Sequence, residues 1–489
     1  GLSSFLTLFW GVTSRNQNYI SLNNVGLRKG VTFLFRPPLP GHPLRKNTIT
    51  SGRLLAGLFS LATPMLLQAL LQNLQSIIDL YFVGGLGASA VAAVSASGTV
   101  LFILTPVLMG ASVGTIAMIS RFIGEGQDHL AARTVGQSIT IAVFFGTLIA
   151  GIGLVFGRDL FELMNTPEEV IAEGLVYLRI SLVFSFTMFI LFLGNAAMQG
   201  AGDAWTPMKI MAFSNVINII LNPLLIYGPG IFPRLELAGA AWATVIAQGL
   251  AATLSLRLLS TGRLRLKMTL PDWRPNANLC WRIAKIGLPG AGQMLLRSLM
   301  NAAMFRIVAP FGTAALAGYS VSTRLNVMVL MPAFSFGNAS ATMVGQNLGA
   351  GRPDRAVRAA WTAVGIEVAI MVAASITLIF FAPFFLKIFL SETEAIRIGT
   401  EYFRVEAPFY IFSAVSIVLS RSMSGAGASL APFIINAFTL WGVQVPLAYA
   451  LSARLGTIGI WIAMATTQVV HALIVTIWFT LGRWKHKKI

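Results

Sequence analysis

Long stretches of apolar residues alternate with short polar segments from about residue 54 to the end of the chain. Each stretch holds roughly 20 or more mainly apolar residues, the length that an α-helix needs to cross the hydrocarbon core of a bilayer. Glycine and proline occur inside several stretches, and membrane bundles tolerate them because neighbouring helices satisfy the freed backbone groups. The pattern predicts an all-α membrane protein with twelve transmembrane helices, spans 1 to 12, at residues 55–83, 89–119, 134–157, 175–197, 206–228, 237–259, 283–310, 314–343, 357–384, 400–422, 430–452 and 456–481.

The composition supports a membrane protein. Of 489 residues, 56% are hydrophobic and only 11% are charged, whereas soluble domains carry about 25% charged residues. The single cysteine, Cys280, excludes an internal disulfide framework and a cysteine-based metal motif.

The net charge of +18 is compatible with nucleic-acid binding or with a topology signal. Lys and Arg concentrate in alternate segments between the spans and in the terminal "RWKHKK", whereas acidic runs such as "NTPEEVIAEG" and "SETEA" lie in the other segments. This asymmetry follows the positive-inside rule. We therefore expect a multi-pass protein of the cell (inner or plasma) membrane with both termini cytoplasmic and no nucleic-acid partner. Residues 1–53 contain no acid, and we expect a basic, disordered tail rather than a transit-like segment.

The chain contains two similar halves. Pro64 and Pro289 are 225 positions apart, and so are Gly87 and Gly312. The glycine loops "GEG" and "GAG" after spans 2 and 8, and the "GAG" turns before spans 5 and 11, keep the same offset. We predict a first lobe at 54–259, a cytoplasmic basic linker at 260–281, a second lobe at 282–481 and a basic tail at 482–489. Six spans per lobe give both lobes one orientation, so a pseudo-two-fold axis along the membrane normal should relate the two six-helix bundles around a cavity.

One carboxylate, Asp79, lies inside span 1, and no acidic residue precedes it. An aspartate at the bilayer centre costs roughly 2.5–3.5 kcal/mol, so it should face the bundle interior or water. Gln68, Gln72 and Gln75 lie at helical spacings from it and form a polar stripe on one face, which we expect to contact substrate. The alternative is that Asp79 caps the turn at "GGLG" near the outer end of the span.

Span 5 offers partners for this carboxylate. Asn215, Asn218 and Asn222 recur at i, i+3 and i+7, which places them on one helical face. Amide oxygens together with a carboxylate suit Na⁺, and hydrogen bonds can equally hold a proton on the carboxyl group. Asparagines that simply join helices are the structural alternative. We also take Asn215 as a candidate for the substrate cavity.

The polar stripe recurs in the second lobe with a different charge. Gln293, Arg297 and Asn301 occupy the positions 225 residues after 68, 72 and 76, and an apolar residue stands where the first lobe has its acid. We expect this second stripe to line the substrate cavity as well. Arg297 could bind an anionic substrate or pair with Glu367 or Glu406, and both roles are open at this point.

The chain resembles the multidrug and toxic compound extrusion (MATE) family over about residues 54–481. The resemblance rests on the doubled glycine loops and turns, on "DLYFVGGLG" at the end of span 1 and on "NIILNPLLIYG" at the end of span 5. It implies a secondary active antiporter that exports cationic, amphipathic drugs or toxic organic compounds in exchange for H⁺ or Na⁺ by rocking of two lobes. The expected partners are small organic cations and the lipid bilayer. No cofactor besides the coupling ion is expected, and a monomer should suffice.

By this resemblance, Asp79, Asn218, Asn222 and Thr244 match the positions that form a cation or proton site in the first lobe, with Na⁺ at the first three as one option. Two departures affect the assignment. Proton-linked DinF-type members carry an aspartate where this chain has Asn222, so the site here holds a single acid. NorM-type members carry acids in spans 7 and 10, where this chain has an arginine and a serine. We therefore expect coupling to run through Asp79.

Two other classes of function fit less well. A flippase for lipid-linked saccharides, from a related fold, would need a markedly cationic cavity for pyrophosphate, whereas Arg297 is mostly alone in the sequence and Asp79 opposes it. A membrane-embedded enzyme lacks support because the chain has no HExxH motif and no paired catalytic carboxylates. We therefore predict a transporter without enzymatic activity.

Overall fold

The computed structural model describes residues 48–262, 264–487 and 489. Within these residues, all regular secondary structure is helical, and there is no β-strand. The α-helices, in chain order, are α1 Thr48–Ser51, α2 Leu54–Gly84, α3 Ala88–Phe102, α4 Thr105–Glu125, α5 Asp128–Glu162, α6 Glu168–Val183, α7 Ser185–Gly200, α8 Trp205–Tyr227, α9 Glu236–Ser260, α10 Ala277–Val308, α11 Thr313–Gly349, α12 Pro353–Lys387, α13 Thr393–Glu406, α14 Tyr410–Gly425, α15 Leu430–Ala437, α16 Val445–Leu455 and α17 Thr457–Thr480.

The twelve predicted spans are confirmed. Eleven described segments are long and apolar enough to cross a membrane, and α6 with α7 gives a twelfth, bent by 46°. Helices α2–α9 form the first half of the fold and α10–α17 form the second. Several helices run past the predicted span ends. For example, α5 covers Asp128–Glu162 where the apolar pattern predicts 134–157, because a helix can continue through polar residues beyond the hydrocarbon core.

Two spans that were predicted as continuous are broken near a proline. Span 2 divides into α3 and α4, and Pro106 lies in the first turn of α4. Span 10 divides into α13 and α14 at the 3₁₀ segment Ala407–Phe409, which contains Pro408. Proline lacks an N–H donor and disfavours the α conformation in the residue before it. The chain therefore restarts a helix at each of these positions.

Span 11 contains a π-helix between α15 and α16, at Phe438–Gln444. Such segments are rare and concentrate at functional sites, since the wider turn changes the direction of the side chains that follow. Thr439 in this segment is fully buried and shares a hydrogen bond of 2.7 Å with Nδ1 of His471 on α17.

Helices α4 and α10 join the two halves through small residues. The sequence "GASVG" at residues 110–114 lies in the middle of α4 and has the small-xxx-small spacing of close helix pairs. A Cβ atom on Gly114 would lie 2.3 Å from the carbonyl oxygen of Ile283, and one on Gly110 would lie 2.6 Å from that of Gly287. Only glycine allows the two backbones to approach this closely.

The doubled glycine loops bring the halves together at the end that carries the basic segments. Gly345 lies against the side chain of Ser120, and Gly124 lies against the backbone of Gln346. The amide nitrogen of Gln346 also donates to the carbonyl oxygen of Gly200, at 3.0 Å. We call these contacts between residues 120–124, 200 and 345–346 the seal. It joins the two halves at the basic end.

The segments outside the predicted lobes also make specific contacts. Of the tail predicted at 1–53, residues 1–47 lie outside the described residues. Ile49 and Thr50 of the same predicted tail are buried, and Arg352 donates to the carbonyl oxygen of Thr50 at 2.8 Å. At the other terminus, Trp484 is buried and stacks on Phe479, with ring centroids 4.7 Å apart. The packed part of the chain therefore extends beyond the predicted lobe boundaries at residues 54 and 481.

The linker between the halves is fixed by Gln137 of α5. Its amide nitrogen donates to the carbonyl oxygens of Asp272 and Arg274, both at 3.0 Å, and its oxygen accepts from the backbone N–H of Asn276 at 2.8 Å. Gln137 is fully buried. The predicted linker is therefore held against the first half.

Candidate functional site

A chain of hydrogen bonds joins the four residues that the resemblance assigns to the ion site. Asn222 of α8 donates to Oδ1 of Asp79 on α2 at 2.7 Å and to Oδ1 of Asn218 at 3.1 Å. Asn218 in turn donates to the hydroxyl oxygen of Thr244 on α9 at 3.2 Å. The helical spacing in α8 thus presents two amides to the two neighbouring helices, and the carboxylate and the hydroxyl lie at opposite ends of one polar cluster.

Burial and an unused oxygen distinguish this cluster. Asn218 and Asn222 are fully buried and Asp79 is half-buried. Oδ1 of Asn222 has no hydrogen-bond partner within the described part of the chain. A buried amide oxygen without a partner costs free energy, and it can instead be a ligand of a cation. Carboxylate, amide and hydroxyl oxygens are hard donors of the kind that suit Na⁺.

Asp79 does not cap the turn at "GGLG". Helix α2 continues to Gly84, and backbone bonds end it, from Gly85 N–H to the Phe82 carbonyl at 3.3 Å and from Leu86 N–H to the Val83 carbonyl at 2.9 Å. An acid is also unfavourable at a helix C-terminus because of the helix dipole. The position of Asp79 inside α2 therefore favours a role in the polar cluster.

The other candidates of the first half lie on the same helices and are used differently. Asn215 donates to the backbone carbonyl of Leu71 at 2.7 Å, which ties α8 to α2. Gln68 accepts a hydrogen bond from Gln199 at 3.0 Å. Gln75 is buried and Gln72 is exposed. None of these candidates lines the cavity of the second half.

A cavity of about 480 Å³ lies in the second half and reaches α4 of the first. The three candidates of the second stripe, Gln293, Arg297 and Asn301, all line it. The second-lobe stripe therefore lines this cavity, whereas the first-lobe stripe of Gln68, Gln72 and Gln75 does not. Further lining residues come from the helices around α10 and include Met109, Tyr319, Asn326, Phe334, Tyr402, Ser413, Arg421, Asn436, Gln444, Gln468 and His471.

Two arginines give this cavity its charge. The guanidinium carbons of Arg297 and Arg421 each lie 5.6 Å from the ring centroid of Phe334. No carboxylate oxygen of a described residue lies within 4.0 Å of either guanidinium group. The described cavity lining contains no Asp or Glu. The space is therefore cationic.

The two buried glutamates of the second half have other surroundings. Glu406 is fully buried and accepts a hydrogen bond from the Gln468 amide, whose oxygen accepts from Ser413 at 2.7 Å. Glu367 is also fully buried, and neither of its oxygens has a hydrogen-bond partner in the described chain. Arg297 forms no ion pair with either carboxylate, so of its two possible roles the pairing one is not observed.

Sequence reasoning missed Arg421 and His471. Arg421 lies one residue before the predicted end of span 10, where an arginine is expected at the membrane surface. It has no counterpart in the first half, since alanine stands 225 positions earlier. An arginine in an apolar run without a repeat partner is the signal that could have identified it.

Comparisons with known proteins agree with the fold and the repeat. The sequence model of the MatE family matches residues 64–224 and again 289–450. The chain is 31% identical over 433 residues to "Probable multidrug resistance protein YoeA" of Bacillus subtilis (strain 168), covering 87% of this chain and 93% of the relative. It is 28% identical over 400 residues to "FAD transporter" of Shewanella oneidensis, covering 81% of this chain and 88% of that one.

A solved structure has the same fold. The structure titled "Outward-facing conformation of a multidrug resistance MATE family transporter of the MOP superfamily" superposes with a TM-score of 0.83 at 23% identity, over 91% of this chain and 100% of that one. The two separate matches of the family model also fall one in each half of the described fold.

Proposed function

The chain belongs to the MatE family, the multidrug and toxic compound extrusion transporters, and on that premise we propose that it is a secondary active antiporter. It exports amphipathic organic compounds in exchange for H⁺ or Na⁺ as its two halves rock about the cavity. One observation carries this proposal: the carboxylate of Asp79 is bonded to Asn222 inside a bundle of membrane-crossing helices.

Asp79 is the group that binds the coupling ion. A cation or a proton at this carboxylate cancels a charge that is costly inside a membrane. Ion binding therefore changes the relative free energies of the arrangements in which α2, α8 and α9 are packed together or separated. An ion gradient can drive the halves between two arrangements only if the ion binds one arrangement more tightly than the other. The substrate must likewise bind these two arrangements with different affinities.

The setting of the protein follows from its charges and its repeat. The distribution of Lys and Arg supports a multi-pass protein of the cell membrane with both termini cytoplasmic. In that orientation the seal lies on the cytoplasmic side. Both halves belong to one chain, which supports a functional monomer without a resident cofactor. Transport, not catalysis, is the activity that the family supports.

The relatives support more than one class of substrate. Names that refer to multidrug resistance support export of drugs, and the sequence predicts cationic, amphipathic ones. The relative named FAD transporter supports an organic anion instead. None of these names supports the flippase alternative. The charge of the second-half cavity favours the anion.

Transport by the purified chain in lipid vesicles tests the proposal. Efflux of ethidium, an organic cation, and of flavin mononucleotide, an organic anion, is followed under an imposed pH gradient and, separately, an Na⁺ gradient. We expect flux that depends on one gradient, which identifies the ion. A wild type that responds to neither gradient refutes antiport.

Asp79→Asn keeps the side-chain shape and removes the charge, so we expect its flux to lose the dependence on the gradient. Asp159→Asn is the matched control, because Asp159 is an exposed carboxylate near the end of α5, and it should behave as wild type. Flux in Asp79→Asn that still follows the gradient would contradict the assignment of Asp79 as the group that binds the coupling ion.

A further inference from the structure

We propose that the second-half cavity binds an organic anion, with Arg297 and Arg421 holding a phosphate or carboxylate group and the rest of the cavity holding an aromatic body. This inference rests on the proposed function, since it names the substrate class of that transporter. It replaces the organic cation that the sequence predicts. Four features of the cavity carry it.

The first feature is the pair of uncompensated cations. Arg297 and Arg421 line one cavity and lie at equal distances, 5.6 Å, from the same Phe334 ring. An arginine inside a membrane protein is costly unless it is paired or faces water. Two arginines of like charge in one cavity add mutual repulsion. The positive charge of the two arginines is compensated best by a negative charge on a bound molecule.

The second feature is the absence of a competing acid in the described lining. Glu406 lies behind the wall and is bonded to the Gln468 amide, and Glu367 lies elsewhere in the second-half core without a basic partner. The carboxylate that suits a cation, Asp79, lies in the first half and is bonded to Asn222. The two halves therefore offer sites of opposite charge.

The third feature is the shape of the guanidinium group. Its planar set of N–H donors matches the paired oxygens of phosphate and carboxylate groups. Neutral donors lie in the same lining, namely the amides of Gln293 and Asn436 and the ring of His471. Together these groups can satisfy the several oxygens of one anionic group at the same time.

The fourth feature is the remainder of the wall. Phe334, Tyr319 and Tyr402 provide aromatic faces, and Met294 and Met464 provide flexible apolar contacts. The volume of about 480 Å³ is within the range of small-molecule sites, roughly 300–1,000 Å³. An inorganic anion would leave most of this wall without a contact, so the wall favours an aromatic compound that carries the anionic group.

Binding to the purified full chain in detergent tests the inference. The probes are flavin mononucleotide and riboflavin, which share a fluorescent ring system and differ by one phosphate, together with the cation ethidium. We expect flavin mononucleotide to bind at least tenfold more tightly than riboflavin, and ethidium to bind most weakly. Equal affinity for the two flavins, no binding of flavin mononucleotide, or tightest binding of ethidium overturns the proposal.

Arginine variants locate the phosphate. Arg297→Gln and Arg421→Gln should each weaken binding of flavin mononucleotide at least tenfold and leave riboflavin binding unchanged, which also shows that the variants are folded. Arg297→Lys keeps the charge without the planar donors, and we expect an intermediate loss. Arg306→Gln is the control, because Arg306 is on the same helix but lines a different pocket. Unchanged affinity in both glutamine variants overturns the assignment.

The binding test and the antiport test fail independently. Binding in detergent requires no ion gradient, so a chain that binds the anion but ignores every gradient refutes antiport alone. A chain that transports ethidium under a gradient and binds no flavin mononucleotide refutes the anion site alone.

Discussion

Gly345 lies at the seal between the two halves, and replacing it with alanine should weaken that seal. A Cβ at this position would lie 2.0 Å from Oγ and 2.8 Å from Cβ of Ser120 on α4. The hydroxyl can rotate away, but the Cβ of Ser120 cannot move without its helix. Overpacking of this kind costs about 1–3 kcal/mol. The same Cβ would lie 3.0 Å from the carbonyl oxygen of Gly425, but Gly425 belongs to the same half as Gly345, so that contact is present in both arrangements. The clash with Ser120 arises only when the seal is formed, so the population of the sealed arrangement relative to the opposite one should fall about 5- to 150-fold.

Distances between spin labels across the seal measure this shift. Labels attached through His129→Cys and Asp354→Cys, in a Cys280→Ala background, would lie at exposed positions of α5 and α12, one in each half. Pulsed electron spin resonance on the wild-type seal should give mainly one short distance. Gly345→Ala should add or enlarge a population at a longer distance.

Two further variants make the test specific. Gly365→Ala adds the same methyl group at a helical position where no atom outside the adjacent backbone of its own helix lies within 4 Å, so it should leave the distances unchanged. Ser120→Gly combined with Gly345→Ala removes the opposing Cβ, so it should restore the short distance. The reasoning fails if Gly345→Ala alone gives the wild-type distribution, or if Ser120→Gly does not reverse its effect.

Three other predictions follow from single contacts. Thr244→Val removes the hydroxyl that accepts a hydrogen bond from Asn218, so the ion affinity measured in a binding titration should fall about tenfold, from the loss of roughly 1–1.5 kcal/mol. Thr253→Val, at an exposed position of the same helix, should have no effect. Equal ion affinities of the two variants would contradict the site. Arg421→Met removes a cation that lies over the Phe334 ring but has no carboxylate partner among the described residues. The melting temperature in detergent should therefore stay the same or rise, and a clear fall would show that the arginine stabilises the fold. Gln137→Ala leaves two carbonyls and one N–H of the linker without their partner, so we expect a loss of about 1–3 kcal/mol, seen as a lower melting temperature; no change would show that the linker is held by other contacts.

The spans were predictable because the bilayer itself constrains the sequence. A helix that crosses lipid must be apolar over a fixed length, and that length was visible for all twelve spans. The breaks in span 2 and span 10 were not predicted, although Pro106 and Pro408 lie next to them. Many membrane helices keep an internal proline, as α2 does at Pro64, so proline alone does not identify a break.

The polar cluster around Asp79 and the second stripe of the cavity were predictable, but the rest of the cavity lining was not. The cost of Asp79 in lipid and the helical spacing of Asn218 and Asn222 pointed to residues that do meet in the structure. The spacing alone gave Asn215 the same weight, although its amide joins two helices instead. Arg297 on α10 and Arg421 on α14 line one cavity because of how the helices of the second half are arranged around it. The spacing of residues along the sequence does not reveal that arrangement.

Ion movement driven by substrate tests most directly the claim that Asp79 couples the ion to transport. Vesicles with the purified chain would receive a substrate gradient and no ion gradient, and H⁺ and Na⁺ fluxes would be recorded with a pH-sensitive dye and with radioactive sodium. We predict that substrate leaving the vesicle drives one of these ions in the opposite direction in wild type. We predict no such flux in Asp79→Asn, even though substrate still binds. An undiminished ion flux in Asp79→Asn would contradict the claim.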